Sequence, residues 1–340
     1  MAAELGVSVA TVSLALRNDS QVSPATRMRI QAAATERGYR LNPALTQMMS
    51  QVRKKLPGRY SETLGWLNLS EAPERFSESG LDYLRFMWEG ARDRAAEQGY
   101  GLDHLWLGER GMSAKRLQAI LQSRGIRGVL IPPLQRSIGH ISLDWQKFAA
   151  VALTHTMPRP RLHRVVPDHH ANMRQILRRL SRKGYRRPGL LLPRKFDERG
   201  DNRCSSAFYF HQQNLTRENR IPLLETPSLR LDSQTARWLK KYRPDAIITV
   251  GALRHLRQVD IGDAAYSRSL GIVLLGHAST DAGFAAVQEN PEEIGAAGVN
   301  QLLSALSRNE RGIPDCPQTI LIPGTWVEGT TLPKRPSGAR

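Results

Sequence analysis

Cysteine is nearly absent from this chain: Cys204 and Cys316 are the only two in 340 residues. They lie far apart and in no metal-ligand spacing, which excludes a disulfide framework and fits a reducing compartment with free thiols. Aromatic residues are sparse, at 6%. No window approaches the roughly 18 uninterrupted apolar residues of a membrane helix. The N-terminus, MAAELGVSVATVS, has no basic region followed by a long apolar run. The chain is therefore expected to be soluble and cytoplasmic, with no membrane partner. Catalytic signatures are missing too: there is no glycine-rich phosphate loop, no GxSxG elbow and no HExxH helix. His155, His163, His169 and His170 are near one another in sequence, but no carboxylate or thiol pattern completes a metal site around them. No metal, no cofactor and no enzymatic activity are expected.

Acidic residues are also in short supply, 31 against 49 Lys/Arg, for a net charge of +18. Such an excess favours an anionic partner or surface. Residues 1–60 hold nine Lys/Arg and three Asp/Glu, leaving 40 basic and 28 acidic residues for the remainder. The N-terminal part is the more basic per residue. Within the remainder, Arg174–Arg187 carries seven Arg/Lys and no acid, the pattern of a solvated helix face. A length of 340 residues accommodates two or three domains.

What is present begins with GVSVATVSLALRN, residues Gly6 to Asn18. Gly6 suits a tight turn and Ser8 can cap a helix that starts at Val9. Val12 and Leu16, with Ala15 beside them, form an inward face. Val9, Ala10, Thr11, Ser13, Leu14 and Arg17 form the other face and keep the helix slim. A slim, weakly charged helix after a glycine turn is what the second helix of a helix-turn-helix needs to enter a major groove. Ser23-Pro24 then opens another helix, with Ser as N-cap and Pro in the first turn. Met28, Ile30, Ala33 and Ala34 supply its apolar positions and Gly38 its stop. Asn42-Pro43 breaks the chain and restarts a shorter helical segment.

This order of parts resembles the DNA-binding headpiece of the LacI/GalR family of bacterial transcription repressors. The matching stretches are GVSVATVS (Gly6–Ser13), VSPATRMRI (Val22–Ile30) and GYRLNPAL (Gly38–Leu45). The resemblance implies a helix-turn-helix headpiece at residues 1–41 and a hinge helix with linker at 42–60. The family's headpiece opens with a full helix, whereas only Met1–Leu5 precede Gly6 here. The natural start is therefore expected several residues upstream; failing that, the shortened form binds DNA poorly. In the hinge, the resemblance puts Met48 at the position of a leucine that wedges into the minor groove, with Leu45 and Thr46 also facing the groove. A methionine there is an apolar wedge able to unstack a base step.

From Thr63 onward, short apolar strands alternate with helical stretches. TLGWLNL, LDHLWL, GVLI, AAVAL, PGLLL, DAIITV and GIVLLG read as strands. Asp82–Gln98, Ser113–Arg124, Ala171–Lys183 and Glu292–Arg308 read as helices. Such repetition gives an α/β fold with mainly parallel sheets covered by helices on both faces. VVPDHHAN (Val165–Asn172), RKGYRRPGLLL (Arg182–Leu192), PDAIITV (Pro244–Val250), VQENPEEIG (Val287–Gly295) and GTWVEGTTLP (Gly324–Pro333) resemble the periplasmic-binding-protein-like effector and dimerisation domain of the same family. The resemblance implies two lobes within residues 61–333. Lobe one is expected at 61–157 plus 288–317, lobe two at 158–287 plus 318–333, and a disordered tail at 334–340.

Small molecules bind beyond the carboxyl ends of strands in doubly wound sheets, and between the lobes of two-lobed domains. Ser70, Tyr83, Phe86, Pro132, Asp168, Arg203 and His277 are the candidates. Arg203 follows the PGLLL strand, where the family commonly places an effector-binding arginine, and its planar fork suits a carboxylate, a phosphate or vicinal hydroxyls; a surface salt bridge is the plain alternative. The family's usual GYD is Gly276-His277-Ala278 here, so its acidic effector ligand is absent and no effector can be carried over, although a sugar or its derivative is one class. On the DNA side, the family's base-reading positions fall on Val9, Ala10 and Leu14, which can pack only on thymine methyls. Thr11, Ser13, Ser23 and Thr26, with Ser8, suit phosphates, and Arg17 and Asn42 are the remaining polar candidates. The function implied is a sequence-specific regulator, most simply a repressor, binding operator DNA as a homodimer under control of a small-molecule effector. The rival is a solute-binding sensor that has lost DNA binding.

Overall fold

The structure is a computed structural model that describes residues 1–16, 21–36, 62–69, 82–134, 141–227, 231–276 and 283–333. The hinge candidates Asn42, Leu45, Thr46 and Met48, together with Arg17, Ser70, His277 and the 334–340 tail, lie outside the described residues.

The N-terminal unit pairs two helices, α1 (Val9–Leu16) and α2 (Pro24–Glu36). Gly6 makes the turn before α1 at φ +64°, a conformation that costs a residue with a Cβ. Ser8 Oγ accepts from the Thr11 amide at 3.0 Å and Ser23 Oγ from the Thr26 amide at 3.3 Å, so both helices begin on a serine cap. Val12, Ala15, Val22 and Ile30 form the core, with Met1, Ala2, Leu5, Val7, Leu14 and Leu16 packed around it. Residues before Gly6 fold as turns, Leu5 N–H donating to Met1 O at 3.1 Å. Met28, expected inward, is instead 66% exposed; the buried residues of α2 are Ile30 and Ala34.

The body contains two mainly parallel sheets. The first runs β11-β5-β4-β3-β1-β2 and the second β12-β10-β9-β8-β6-β7. In chain order the strands are β1 (Glu62–Asn68), β2 (Tyr100–Trp106), β3 (Gly128–Ile131), β4 (Ala149–Leu153), β5 (His163–Pro167), β6 (Pro188–Pro193), β7 (Leu224–Thr226), β8 (Ala246–Val250), β9 (Gly271–Leu275), β10 (Ala285–Gln288), β11 (Thr319–Ile322) and β12 (Thr325–Val327). GVLI, AAVAL, AIITV and GIVLL are buried at every residue, as strands covered on both faces must be. Only β12 is antiparallel to its neighbour, β10. Among the described residues no helix is long and apolar enough to cross a membrane.

Sheet membership corrects the expected lobe bounds. His163–Pro167 pairs with β4 and Thr319–Ile322 pairs with β5, so both stretches belong to the first sheet, not to lobe two. The chain therefore crosses between lobes after β5, after β10 and after β11. Short, continuous apolar strands carry no internal mark of which sheet they join, so the sequence misplaced the first and third crossings by a strand.

Helix α3 (Asp82–Glu97) and helix α10 (Pro291–Ser307) cross at glycines. A Cβ on Gly295 would lie 2.0 Å from Met87 O, and one on Gly90 would lie 2.1 Å from Glu292 O. This backbone-to-backbone contact fixes the start of α10, and the crossover just before it, against the start of α3. Gly295→Ala is expected to destabilise the protein by about 3 kcal/mol, the upper end for overpacking because backbone must move. Chemical denaturation measures it; a loss no larger than that of an exposed Ala substitution contradicts the contact.

Candidate functional site

Two regions concentrate the candidate residues. In the headpiece, Val9 is 76% exposed on α1, as a groove-facing residue must be. Thr11 is half-buried, and its hydroxyl is 2.8 Å from Ser8 Oγ. Ser23 Oγ donates to Thr26 Oγ1 at 2.8 Å. These four hydroxyl residues thus serve the caps of α1 and α2 and stand at the two helix starts. Ala10 and Ser13 lie on α1. Leu14, expected to face the groove, is half-buried against the headpiece core, which limits its reach toward a base. Gln31 donates to Ala15 O at 3.0 Å and Arg29 to Leu5 O at 3.1 Å, so α2 carries polar links to both the turn and α1.

The second region is the cleft where the three crossovers meet. Asp168, Asn172, Glu289, Asn290 and Gly324 tie them together. Asp168 N–H donates to Ile322 O at 2.8 Å, Gly324 N–H to Asn172 Oδ1 at 2.7 Å, and Asn290 Nδ2 to Pro323 O at 2.9 Å. Asp168, predicted as an effector contact, caps helix α5 (His169–Arg182) instead, its Oδ1 accepting from Ala171 N–H at 2.9 Å. That carboxyl is committed to the fold.

His169 opens α5 and is buried; its Nδ1 is 3.1 Å from Glu289 Oε1. Burial alone would lower the His169 pKa, but the charge and hydrogen bond of Glu289, helped by Asp197, raise it overall. Tyr83, on α3, brings its buried hydroxyl to the same carboxylate; burial first and the Glu289 charge second hold its pKa well above the ordinary value. That hydroxyl has no partner meeting geometric hydrogen-bond criteria, so the contact with Glu289 is electrostatic, not a formed bond. Two elements, α5 through His169 and α3 through Tyr83, therefore converge on Glu289 at the crossover.

The loop after β6 supplies the other wall. Helix α6 (Arg194–Arg199) and helix α7 (Arg203–Gln213) flank Gly200, where a Cβ would sit 3.0 Å from the His169 ring. Asp197 is buried, its Oδ1 accepting from the amides of Cys204 and Ser205 at 3.2 and 3.4 Å. Arg203 approaches Asp201 at 3.5 Å, while its buried Nε, and Nη1 of Arg199, have no hydrogen-bond partner. From lobe one, His155 follows β4; burial, then the Arg203 charge, pushes its pKa down to about 4. Arg164, on β5, is half-buried and feels Asp201, Arg161 and Arg203.

Of the predicted effector contacts, the structure thus brings Tyr83 and Arg203 to the cleft. Phe86 is half-buried beneath Arg85, whose guanidinium lies 4.3 Å from the ring centroid, and Pro132 is half-buried after β3. Sequence reasoning missed His155, Arg164, His169 and Glu289. Glu289 and His169 had a legible signal, each standing one or two residues beyond a strand and at or just before a helix start. Among the described residues no group of three His, Cys, Asp or Glu could hold a metal ion; His163 is instead engaged with Glu310 at 2.7 Å.

A headpiece of paired, serine-capped helices ahead of two parallel sheets joined by three crossovers defines a helix-turn-helix protein with a two-lobed α/β body. Residues 1–42 match the profile of the family described as "Bacterial regulatory proteins, lacI family", and the fold of the whole chain is similar to that of solved regulators. It is similar over 97% of its length to 98% of a transcriptional regulator CelR–cellobiose complex, at 18% identity and a TM-score of 0.56. A Lac repressor dimer bound to operator and the anti-inducer ONPF matches 98% of the chain and 97% of its own, at 18% identity and 0.53. The LacI family transcriptional regulator CCPA from Weissella paramesenteroides, with bound glucose, covers 80% of this chain and 99% of its own, at 16% and 0.54. No curated protein matches the sequence significantly.

The raised His169 pKa has a defined pH consequence. Because the folded value exceeds the ordinary 6.5, the His169–Glu289 pair stabilises fully below about 6.5 and loses its contribution as pH rises through the folded value. Glu289→Gln should remove that fall, so the stability difference between wild type and variant shrinks with rising pH. Urea denaturation from pH 5.5 to 8.5 measures it. A difference independent of pH contradicts the pairing.

Proposed function

We propose that the chain is a transcriptional regulator, a repressor, that binds a pseudopalindromic DNA operator as a homodimer and whose DNA affinity is set by a small molecule held between the lobes. The observation that carries this reading is the lacI-family match over residues 1–42 on a headpiece whose α1 is capped, slim and exposed at Val9. Two headpieces enter successive major grooves with Val9, Ala10, Thr11, Ser13 and Leu14, while Ser8, Ser23 and Thr26 meet phosphates at the helix starts. Arg17 and Asn42 supply the charged and amide contacts. Paired hinges carrying Leu45, Thr46 and Met48 open the minor groove between the half-sites.

The cellobiose, glucose and ONPF bound to the similar regulators support control by a small molecule. Arg203 and Tyr83 are its first contacts in the cleft, with Ser70, Phe86 and His277 as further candidates beyond strand ends or on α3. Such a ligand shifts the balance between lobe arrangements, and the order of the hinge follows. The protein carries out this role in the cytoplasm and is not an enzyme.

Selection of bound sequences from a random duplex library tests the reading: pseudopalindromes with two half-sites should be enriched, and an absence of enrichment overturns DNA binding. With the selected operator in hand, Arg17→Ala should weaken binding about tenfold, as for the loss of a positioning contact, and flatten the dependence on salt. Unchanged affinity at moderate salt removes Arg17 from the interface.

A further inference from the structure

Charge in the inter-lobe cleft is out of balance. Arg164 reaches it from lobe one and Arg203 from lobe two, close enough for each charge to act on the other and on His155. Among the described residues, the buried Arg203 Nε and His155 Nε2 have no hydrogen-bond partner. Among the described residues, their one ion pair is the 3.5 Å approach of Arg203 to Asp201, whose side chain is 62% exposed. A guanidinium keeps its charge at any physiological pH, and leaving donors of a charged group buried and unmatched is costly.

The nearby carboxylates cannot redress this. Asp197 is spent on the amides of Cys204 and Ser205, Asp168 on the cap of α5, and Glu289 on His169. The same commitments bear on what the cleft can recognise. A neutral polyol can offer its hydroxyl oxygens to these donors, but it brings no charge to set against the guanidinium groups. A ligand that brings acceptors and negative charge meets donors that lack both, and the guanidinium fork suits a carboxylate or phosphate geometrically.

We propose that the effector is an anion whose carboxylate or phosphate group lodges between Arg164 of lobe one and Arg203 of lobe two, with His155 Nε2 donating from the side. This rests on the reading of the cleft as the effector site. Because the arginines come from both lobes, the anion draws the lobes together, and Asp201, exposed at the rim, gives up its contact with Arg203.

Calorimetric titration and thermal unfolding of the full chain at constant ionic strength test it, with inorganic phosphate, glucose 6-phosphate, gluconate and glucose as probes. Binding by phosphate or glucose 6-phosphate identifies a phosphate site, and binding by gluconate a carboxylate site; either supports the proposal if glucose binds at least tenfold more weakly. Arg203→Gln and Arg164→Gln should each weaken the anion on the order of tenfold or more, the loss of a charge-assisted hydrogen bond. Arg178→Gln, an exposed arginine outside the cleft, should leave affinity unchanged. Should a Gln variant fail to fold, Arg203→Lys, which keeps the charge and loses the fork, should still bind, more weakly than wild type. Glucose binding as tightly as the anions, or no anion binding above a chloride control, overturns the proposal while leaving a cleft effector of another class open. An anion that binds through Arg203 and Arg164 but leaves operator affinity unchanged upholds the anion site and instead defeats the regulatory reading.

Discussion

The body depends on how three chain crossings are held in one place. Two sheets with separate cores meet only where the chain passes after β5, β10 and β11. At that point Asn172 accepts from the Gly324 amide, Asp168 donates to Ile322, and Asn290 donates to Pro323. Gly324 itself leaves no room for a side chain: a Cβ would lie 2.5 Å from Val287 Cγ1 and 2.7 Å from Gln288 O. Each bond ties one crossing to another, so the three strands turn as a unit. Buried amides such as Asn172 are costly unless satisfied, and here their satisfaction requires all three crossings to be in register.

The cleft chemistry follows from that registration. Glu289 leaves β10 two residues before α10 begins and meets His169, which leaves β5 two residues after its end. The glycine-mediated contact of α3 with α10 then brings Tyr83 onto the same carboxylate. The crossover after β5 and the candidate ligand site are therefore contiguous: Gly200 packs on His169, and the loop from Arg199 to Arg203 continues from it.

Much of this was legible in the sequence. GVLI and AAVAL were placed to the residue, and most other strands and helices within two, because fully buried parallel strands read as unbroken apolar runs. The helix starts at Ser8 and Ser23 were legible from the capping residues alone. The division into lobes was less so, because β5 and β11 are placed by pairing across more than 150 residues and not by any local pattern. Asp168 illustrates the same gap for the site: as a strand-end carboxylate it looks like a ligand contact, yet the amide of Ala171, three residues on, makes it a cap. Met28 looked apolar and was assigned inward, whereas the residues α2 buries are Ile30 and Ala34. His155 and Arg164 carry no motif at all; the fold alone gathers them opposite Arg203.

Labelling lobe positions tests the claim that the crossings hold the lobes in register. Cys316 is exposed in lobe one and Cys204 is buried, so a cysteine introduced at the exposed Arg237 of helix α8 (Ser233–Tyr242) gives a label pair spanning the cleft. The distance distribution by electron paramagnetic resonance should be narrow in the parent chain and should broaden or shift in Asn172→Ala, which breaks the link to Gly324. An unchanged distribution in that variant would contradict the account.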